Sequence, residues 1–195
     1  MNTNTIEQEI AALEQTLLDT VATLAQLKKQ RVTTPQVGEY TFTTTNGEVK
    51  QLKDFFNGKD DLIVIHNMGK RCSYCTLWAD GLNGFTNHLN DRAGFVLISP
   101  DSTDVQKQFA DERGWKFAVA SAEGNSFISD MGFSEEKDGR TYYHPGFSTF
   151  RKHPDGSITR VAFDMFGPGD MYCSPWHMFE LLHDGTNNWE PKYAY

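Results

Sequence analysis

Cysteine is scarce in this sequence, with three residues in 195. That odd, low count excludes a disulfide-stapled scaffold. No long apolar run occurs: the strongest, Leu62-Ile63-Val64-Ile65, is far below the roughly 20 residues of a membrane-spanning helix. Basic charge is outnumbered, since 18 Lys and Arg against 26 Asp and Glu leave a formal charge of −8. Nucleic acid and anionic membrane surfaces are therefore not the expected partners. Residues 1–9 lack the basic start and apolar stretch of a secretory signal, so the expected address is cytoplasmic. A Gly-rich phosphate loop and a Ser-centred hydrolase elbow are both missing, which leaves nucleotide-dependent chemistry and serine hydrolysis without support.

What remains is an ordinary globular composition, 38% apolar and 23% charged, sized for one moderate domain with a terminal appendage. From Thr5 to Arg31 the apolar residues Ile6, Ile10, Leu13, Leu17, Leu24 and Leu27 alternate in steps of four and three around polar Thr20, without Pro or Gly. This pattern predicts one helix of about 40 Å, capped by Thr5 with Gln8 as capping-box partner and stopped at Val32-Thr33-Thr34-Pro35. Its seam fits either the parent domain or the same helix of a second subunit, which would make it a homodimer arm.

After Pro35 the pattern turns to short β-type stretches. Tyr40 to Thr45 and Glu48 to Leu52 flank the turn Asn46-Gly47 and predict a hairpin. Leu62 to His66 and Phe95 to Ser99 read as strands buried on both faces, with a helical segment between them. Thr103 to Arg113 reads as a helix before a strand at Phe117 to Ala120. A second hairpin follows from Ser148 to Arg151 and Ile158 to Phe163, then a short helix from Pro175 to Leu182. Strands alternating with helices, closed by an antiparallel hairpin, describe an α/β sandwich with a mixed sheet. The interval from Ala122 to Pro145 has little periodicity and reads as a loop region, either a lid or a solvated connection.

Chemistry concentrates in Cys72-Ser73-Tyr74-Cys75, which follows the first buried strand and the loop Asn67-Met68-Gly69-Lys70-Arg71. Trp78, Leu82, Phe85 and Leu89 mark an amphipathic helix after it, and one step back from Trp78 reaches Cys75, which should face the core. Cys72 falls at the helix start, where free N–H groups and the positive dipole end favour a thiolate, and Lys70 and Arg71 add positive potential. An accessible low-pKa sulfur followed by a shielded one is the arrangement dithiol-disulfide exchange uses. Half of a zinc site, or two small buried residues, are the competing readings of such a pair.

The run Cys72-Ser73-Tyr74-Cys75-Thr76-Leu77-Trp78-Ala79-Asp80-Gly81, with His66 and Pro145-Gly146-Phe147-Ser148, resembles the thioredoxin-like superfamily over roughly Tyr40 to Leu182. It is most similar to a bacterial family of uncharacterised, predicted dithiol-disulfide oxidoreductases. The opening hairpin and Gly58-Lys59 are also similar to the peroxiredoxin branch. The resemblance implies a thioredoxin-like three-layer α/β sandwich with a mixed sheet over residues 35–185, preceded by a helical arm at 1–34 and followed by a tail at 186–195. It also implies that Pro145 occupies the place of the thioredoxin cis-proline, that His144 lines the substrate groove, and that His66 takes the place of the buried acid and exchanges protons with the resolving thiol. The sequence departs from the best-known members of the fold: Arg71 precedes the first cysteine, no Pro separates the pair, and no Thr lies three residues before either cysteine. That last absence removes the hydroxyl a peroxiredoxin-type site uses to position peroxide, leaving thiol peroxidase as a minor alternative. Cys-Ser-Tyr-Cys also resembles some glutaredoxin sites.

The expected activity is thiol-disulfide exchange on a protein or small-molecule substrate, with Cys72 as nucleophile, Cys75 as resolver and no prosthetic group. Two alternatives come from other classes. Cys173 and His177 have a Cys-x3-His spacing that could complete a four-ligand zinc site with Cys72 and Cys75 in a non-catalytic binding module. A dimeric scaffold built on the first helix is the other. The dense late aromatics, from Tyr142 to Trp189, fit either core packing or an apolar groove.

Overall fold

The computed structural model describes residues 3–33 and 35–195. Helix α1 spans Thr3–Gln30, about 42 Å at 1.5 Å per residue. Thr5 lies inside its first turn rather than at a cap, and Thr34 of the expected stop falls outside the described residues. Strands β1 (Thr41–Thr44) and β2 (Val49–Gln51) form the expected hairpin, with Gly47 at φ +83° in its turn. β3 (Asp61–His66), α2 (Ser73–Asn83), α3 (Thr86–Arg92), β4 (Gly94–Ser99), α4 (Thr103–Arg113) and β5 (Ala118–Ser121) follow. Then come α5 (Phe127–Asp130), the ribbon β6 (Ser134–Lys137) with β7 (Arg140–Tyr143), the hairpin β8 (Gly146–Lys152) with β9 (Ile158–Met165), and α6 (Ser174–Phe179).

Seven strands make one mixed sheet in the order β2-β1-β5-β4-β3-β8-β9. β3, β4 and β5 run parallel at its centre, and β1 and β8 flank them antiparallel. Alternation along β3 sends Leu62, Val64 and His66 to one face and Ile63 and Ile65 to the other. The second face is covered by α2 and α4, whose Ala79 and Ala110 sit against Ile65, Phe95, Leu97 and Val119. Small residues there let the helices approach the sheet closely.

The first face is closed by the interval expected to be a loop. Phe127, Ile128, Met131 and Phe133 are buried on Phe42, Leu62, Val64, Val96, Ile98 and Phe150. Its single helix has four residues, too short to show a period, so the segment looked structureless although it supplies core. The helix after the cysteines also differs from expectation. It breaks at Gly84 into α2 and α3, which leaves Phe85 exposed while Leu82 and Leu89 still pack inward.

Helix α1 lies outside these layers. Its carboxyl end is fastened to β9, with Lys28 paired to Asp164 and the Arg31 guanidinium 3.9 Å from the Phe163 ring centroid. None of its described residues is buried, and Ile6, Ile10, Leu13, Leu17 and Leu27 of its apolar seam are exposed.

Because Phe127 makes ring contacts with Tyr40, Phe42, His66 and Phe150, Phe127→Ala is expected to cost about 3–5 kcal/mol. A urea unfolding midpoint indistinguishable from that of the native chain would contradict a core role for this interval.

Candidate active site

The loop between β3 and α2 is held from three sides. The Asn67 N–H extends the sheet by donating to the Ile98 carbonyl at 2.9 Å, and its Oδ1 accepts the Gly69 N–H at 2.7 Å. Lys70 N–H donates to Asp101 Oδ2 at 2.7 Å. Gly69 is required here, because its φ is +98° and an added Cβ would sit 2.8 Å from the Asp101 carboxylate. These bonds deliver residue 72 to the start of α2 with a fixed direction.

Cys72 is the N-cap of that helix. Its backbone is extended, and its sulfur accepts the Cys75 N–H at 3.0 Å, the role a Ser or Asp oxygen usually plays. Its carbonyl receives both the Thr76 N–H and the Thr76 hydroxyl. A sulfur that accepts N–H groups at a helix start is stabilised as thiolate. The thiol is accordingly lowered to about 7, chiefly by a hydrogen bond from the Cys75 thiol, with the N–H groups of Cys75 and Tyr74 adding to it and partial burial opposing.

Cys75, one turn later, is 3% exposed. Its thiol is pushed well above the ordinary range, first by holding its proton toward the Cys72 thiolate, then by burial and by that neighbour's charge. The pair is therefore asymmetric, with an accessible acidic sulfur and a shielded protonated one. All three cysteines are free thiols.

Other expected site residues stand differently. Lys70 and Arg71 are exposed directly before Cys72, and the largest influence on the thiol is the hydrogen bond from Cys75. Pro145 immediately precedes β8, and the His66–Gly146 register places it next to the carboxyl end of β3, where the loop begins. Its carbonyl accepts the Phe166 N–H at 2.8 Å, and the Phe166 ring stacks on Trp78 of α2 with centroids 4.9 Å apart. No peptide bond among the described residues is cis, so Pro145 departs from the thioredoxin proline in this respect. The His144 ring is part-exposed, 3.8 Å from Glu135 of the ribbon.

His66 does not meet the expectation of direct contact with the resolving thiol. Even-numbered positions of β3 face away from α2, so its ring stacks on Phe133, at 3.7 Å between centroids, and on Phe127 across the sheet from the cysteine helix. Nε2 pairs with Ser148 Oγ at 2.8 Å, and that hydroxyl also accepts Arg160 Nη2 at 2.9 Å. Burial first, and the Arg160 charge second, push the imidazole well below its ordinary value, so it is neutral.

The four-ligand cluster of the zinc alternative is not assembled. Cys173 is buried against Trp78 and Trp176, and His177 Nε2 donates to the Asp170 carbonyl at 2.9 Å. Among the described residues, no three His, Cys, Asp or Glu side chains gather as metal ligands. The late aromatics largely pack on one another, as in the Tyr74–Trp176–Trp189 and Trp78–Phe166–Phe147 chains.

Residues not anticipated for the site are Asp101, which orders the loop, and Asp80, which accepts both Arg113 and Trp115. Their partners lie about 30 or more residues away, a pairing that local spacing does not reveal.

The lowered thiol sets a pH dependence. Cys72 alkylation by iodoacetamide is expected to rise through a midpoint of about pH 7, because only the thiolate reacts. A midpoint at or above that of a free thiol, about 8.5, would contradict the capped geometry.

No curated protein matches the sequence. Among solved structures, the chain is similar to peroxidoxin BcpB from Mycobacterium tuberculosis at a TM-score of 0.55 and 17% identity, covering 67% of this chain and 82% of that one. A PrxQ mutant from Xylella fastidiosa gives 0.54 and 15%, covering 70% and 84% respectively. A peroxiredoxin-like protein from Aquifex aeolicus gives 0.53 and 15%, covering 67% and 74%. At these identities the likeness establishes the fold, which is thioredoxin-like and of the peroxiredoxin type. Over residues 5–193 the sequence matches the family described as bacterial protein of unknown function, DUF899, and the chain belongs to that family.

Proposed function

We propose that this protein is a thiol-disulfide oxidoreductase working through the Cys72–Cys75 couple. The observation that carries the reading is the asymmetry of the pair: the Cys72 sulfur caps α2 and is lowered to about 7, while Cys75 is buried and holds its proton. The Cys72 thiolate attacks one sulfur of a substrate disulfide, forming a mixed disulfide and releasing the other sulfur as a thiolate. Once Cys72 is covalently bound its negative charge is gone, and with it the largest influence holding the proton on Cys75. That proton passes to the departing thiolate, Cys75 attacks Cys72, and the second substrate thiolate leaves. Two electrons move from the dithiol to the substrate, and an external thiol or dithiol reductant restores the pair.

In this reading His66 supports the strand end and takes no proton, because it lies across the sheet. Pro145, beside the start of the loop, is the residue assigned to face the substrate in this reading, with His144 preceding it in the chain. A thiol peroxidase would use the same acidic sulfur, but the position three before Cys72 is Gly69, which offers no hydroxyl for peroxide.

Mild oxidation of the native chain is expected to remove two thiols reversibly, with peptide mapping placing the bond at Cys72–Cys75. Cys72→Ser should abolish disulfide turnover, and Cys75→Ser should accumulate mixed disulfides. Normal turnover by Cys72→Ser would overturn the assignment.

We also infer that the seam of α1 is covered by a second copy running antiparallel. Leu13 and Leu17 are 70% and 61% exposed. Glu7, Glu9 and Glu14 occupy the first half of the helix, and Lys29 lies at its end beside Lys28, whose ammonium is already paired with Asp164. Antiparallel copies bring these opposite charges together, whereas parallel copies stack like on like. Light scattering is expected to show a dimer that Leu17→Lys converts to monomer; a monomeric native chain would refute the pairing.

A further inference from the structure

Helix α4 contributes a side chain that none of the steps above uses. Gln106 lies on its first turn and is 5% exposed, an unusual burial for an amide. Its Nε2 donates to the Ser99 hydroxyl at 2.7 Å, to the Asp101 carbonyl at 3.1 Å and to the Ser99 carbonyl at 3.3 Å. Its Oε1 is buried without a partner among the described residues. An apolar side chain of the same volume would avoid the cost of that unpaired acceptor. The stability of α4 alone therefore does not account for glutamine at this position.

The bonds converge on Asp101. Ser99 and Ser121, register partners at the carboxyl ends of β4 and β5, are both buried. The Ser99 hydroxyl accepts the Asp101 N–H at 3.3 Å, and the Ser121 hydroxyl donates to the Asp101 carbonyl at 2.7 Å. Gln106 completes this frame, which fixes the Asp101 backbone at both its donor and its acceptor. From the frame the carboxylate reaches the dithiol loop, where Oδ2 accepts the Lys70 N–H at 2.7 Å. That N–H and the Gly69 carbonyl belong to one peptide group, and the Gly69 carbonyl accepts the Cys72 N–H at 3.2 Å. Asp101 thus holds one end of the peptide group whose other end holds Cys72.

We propose that Asp101 and Gln106 are positioning residues for the dithiol: Asp101 anchors the peptide group on which the Cys72 backbone hangs, and Gln106 fixes Asp101. Calling Cys72 the attacking group rests on the exchange reading given above; the anchoring of its backbone does not. A hydrogen bond at the N–H of a peptide group makes the carbonyl of that group a better acceptor, so the carboxylate tightens the Gly69–Cys72 bond. Position and charge act here in opposite directions. A carboxylate near a thiolate disfavours it by repulsion, so loss of the charge alone would make Cys72 more acidic. Loss of the anchor lets the sulfur leave the Cys75 N–H at the helix start, which makes it less acidic. The sign of the change separates the two.

The test is the pH profile of Cys72 alkylation by iodoacetamide in the reduced full-length protein, with peptide mapping to locate the label and a urea transition to confirm folding. Asp101→Ala and Gln106→Leu are expected to move the midpoint from about 7 to about 8, slowing alkylation at pH 7 about fivefold. Ser121→Ala, which removes one bond to the Asp101 carbonyl, should move it the same way by less. Asp101→Asn keeps an acceptor for the Lys70 N–H and should show no rise. A midpoint at or below the native one in Asp101→Ala or Gln106→Leu, with a cooperative urea transition, would overturn the proposal. So would a rise in Asp101→Asn equal to that in Asp101→Ala. Alkylation is read on thiols, so a raised midpoint in a protein that forms no Cys72–Cys75 bond would keep the positioning residues and discard the exchange chemistry.

Discussion

A sulfur atom capping a helix is the interaction on which the rest of this site depends. Helix α2 begins with unpaired N–H groups, and the chain places Cys72 where its sulfur accepts one of them at 3.0 Å. Serine in that place would satisfy the helix equally well. Cysteine satisfies it best as an anion, which couples helix stability to thiol reactivity. Everything upstream serves the placement. The sheet continues through Asn67, Gly69 turns where no side chain fits, and Asp101 holds the loop backbone.

The same sheet separates two environments that the sequence brings within ten residues of each other. Position 66 and positions 72–75 are neighbours in the chain, yet alternation along β3 turns His66 into the aromatic layer of Phe127 and Phe133, while α2 packs on the opposite face. A buried neutral imidazole hydrogen-bonded to Ser148 steadies the strand end. In the proposed exchange, proton movement at the dithiol falls to the sulfurs themselves, because the Cys72 thiolate is the largest influence holding the proton on Cys75.

Much of the architecture was legible because it rests on local periodicity. The four-and-three spacing of α1, the β-branched runs of β3 and β4, and Asn46-Gly47 in its hairpin all express geometry within a few residues. The cysteine pair was legible for the same reason, as a strand, loop and helix in immediate succession. Phe127 to Phe133 was not, since a four-residue helix flanked by turns shows no period, and its burial is conferred by the sheet it covers. The split at Gly84 was equally hidden, because Leu82 and Leu89 keep an apolar rhythm across it.

The sequence by itself determined the order of elements, the amphipathic arm and the position of the acidic thiol at a helix start, all consequences of spacing along one chain. Only the tertiary structure decided which groups meet. It set His66 across the sheet from Cys75, kept His177 on a backbone carbonyl rather than with the cysteines, and fastened the carboxyl-terminal tail to α2 through Asp80 and Arg113. Those outcomes depend on strand parity and on contacts between distant segments, which the packing of the whole sheet selects.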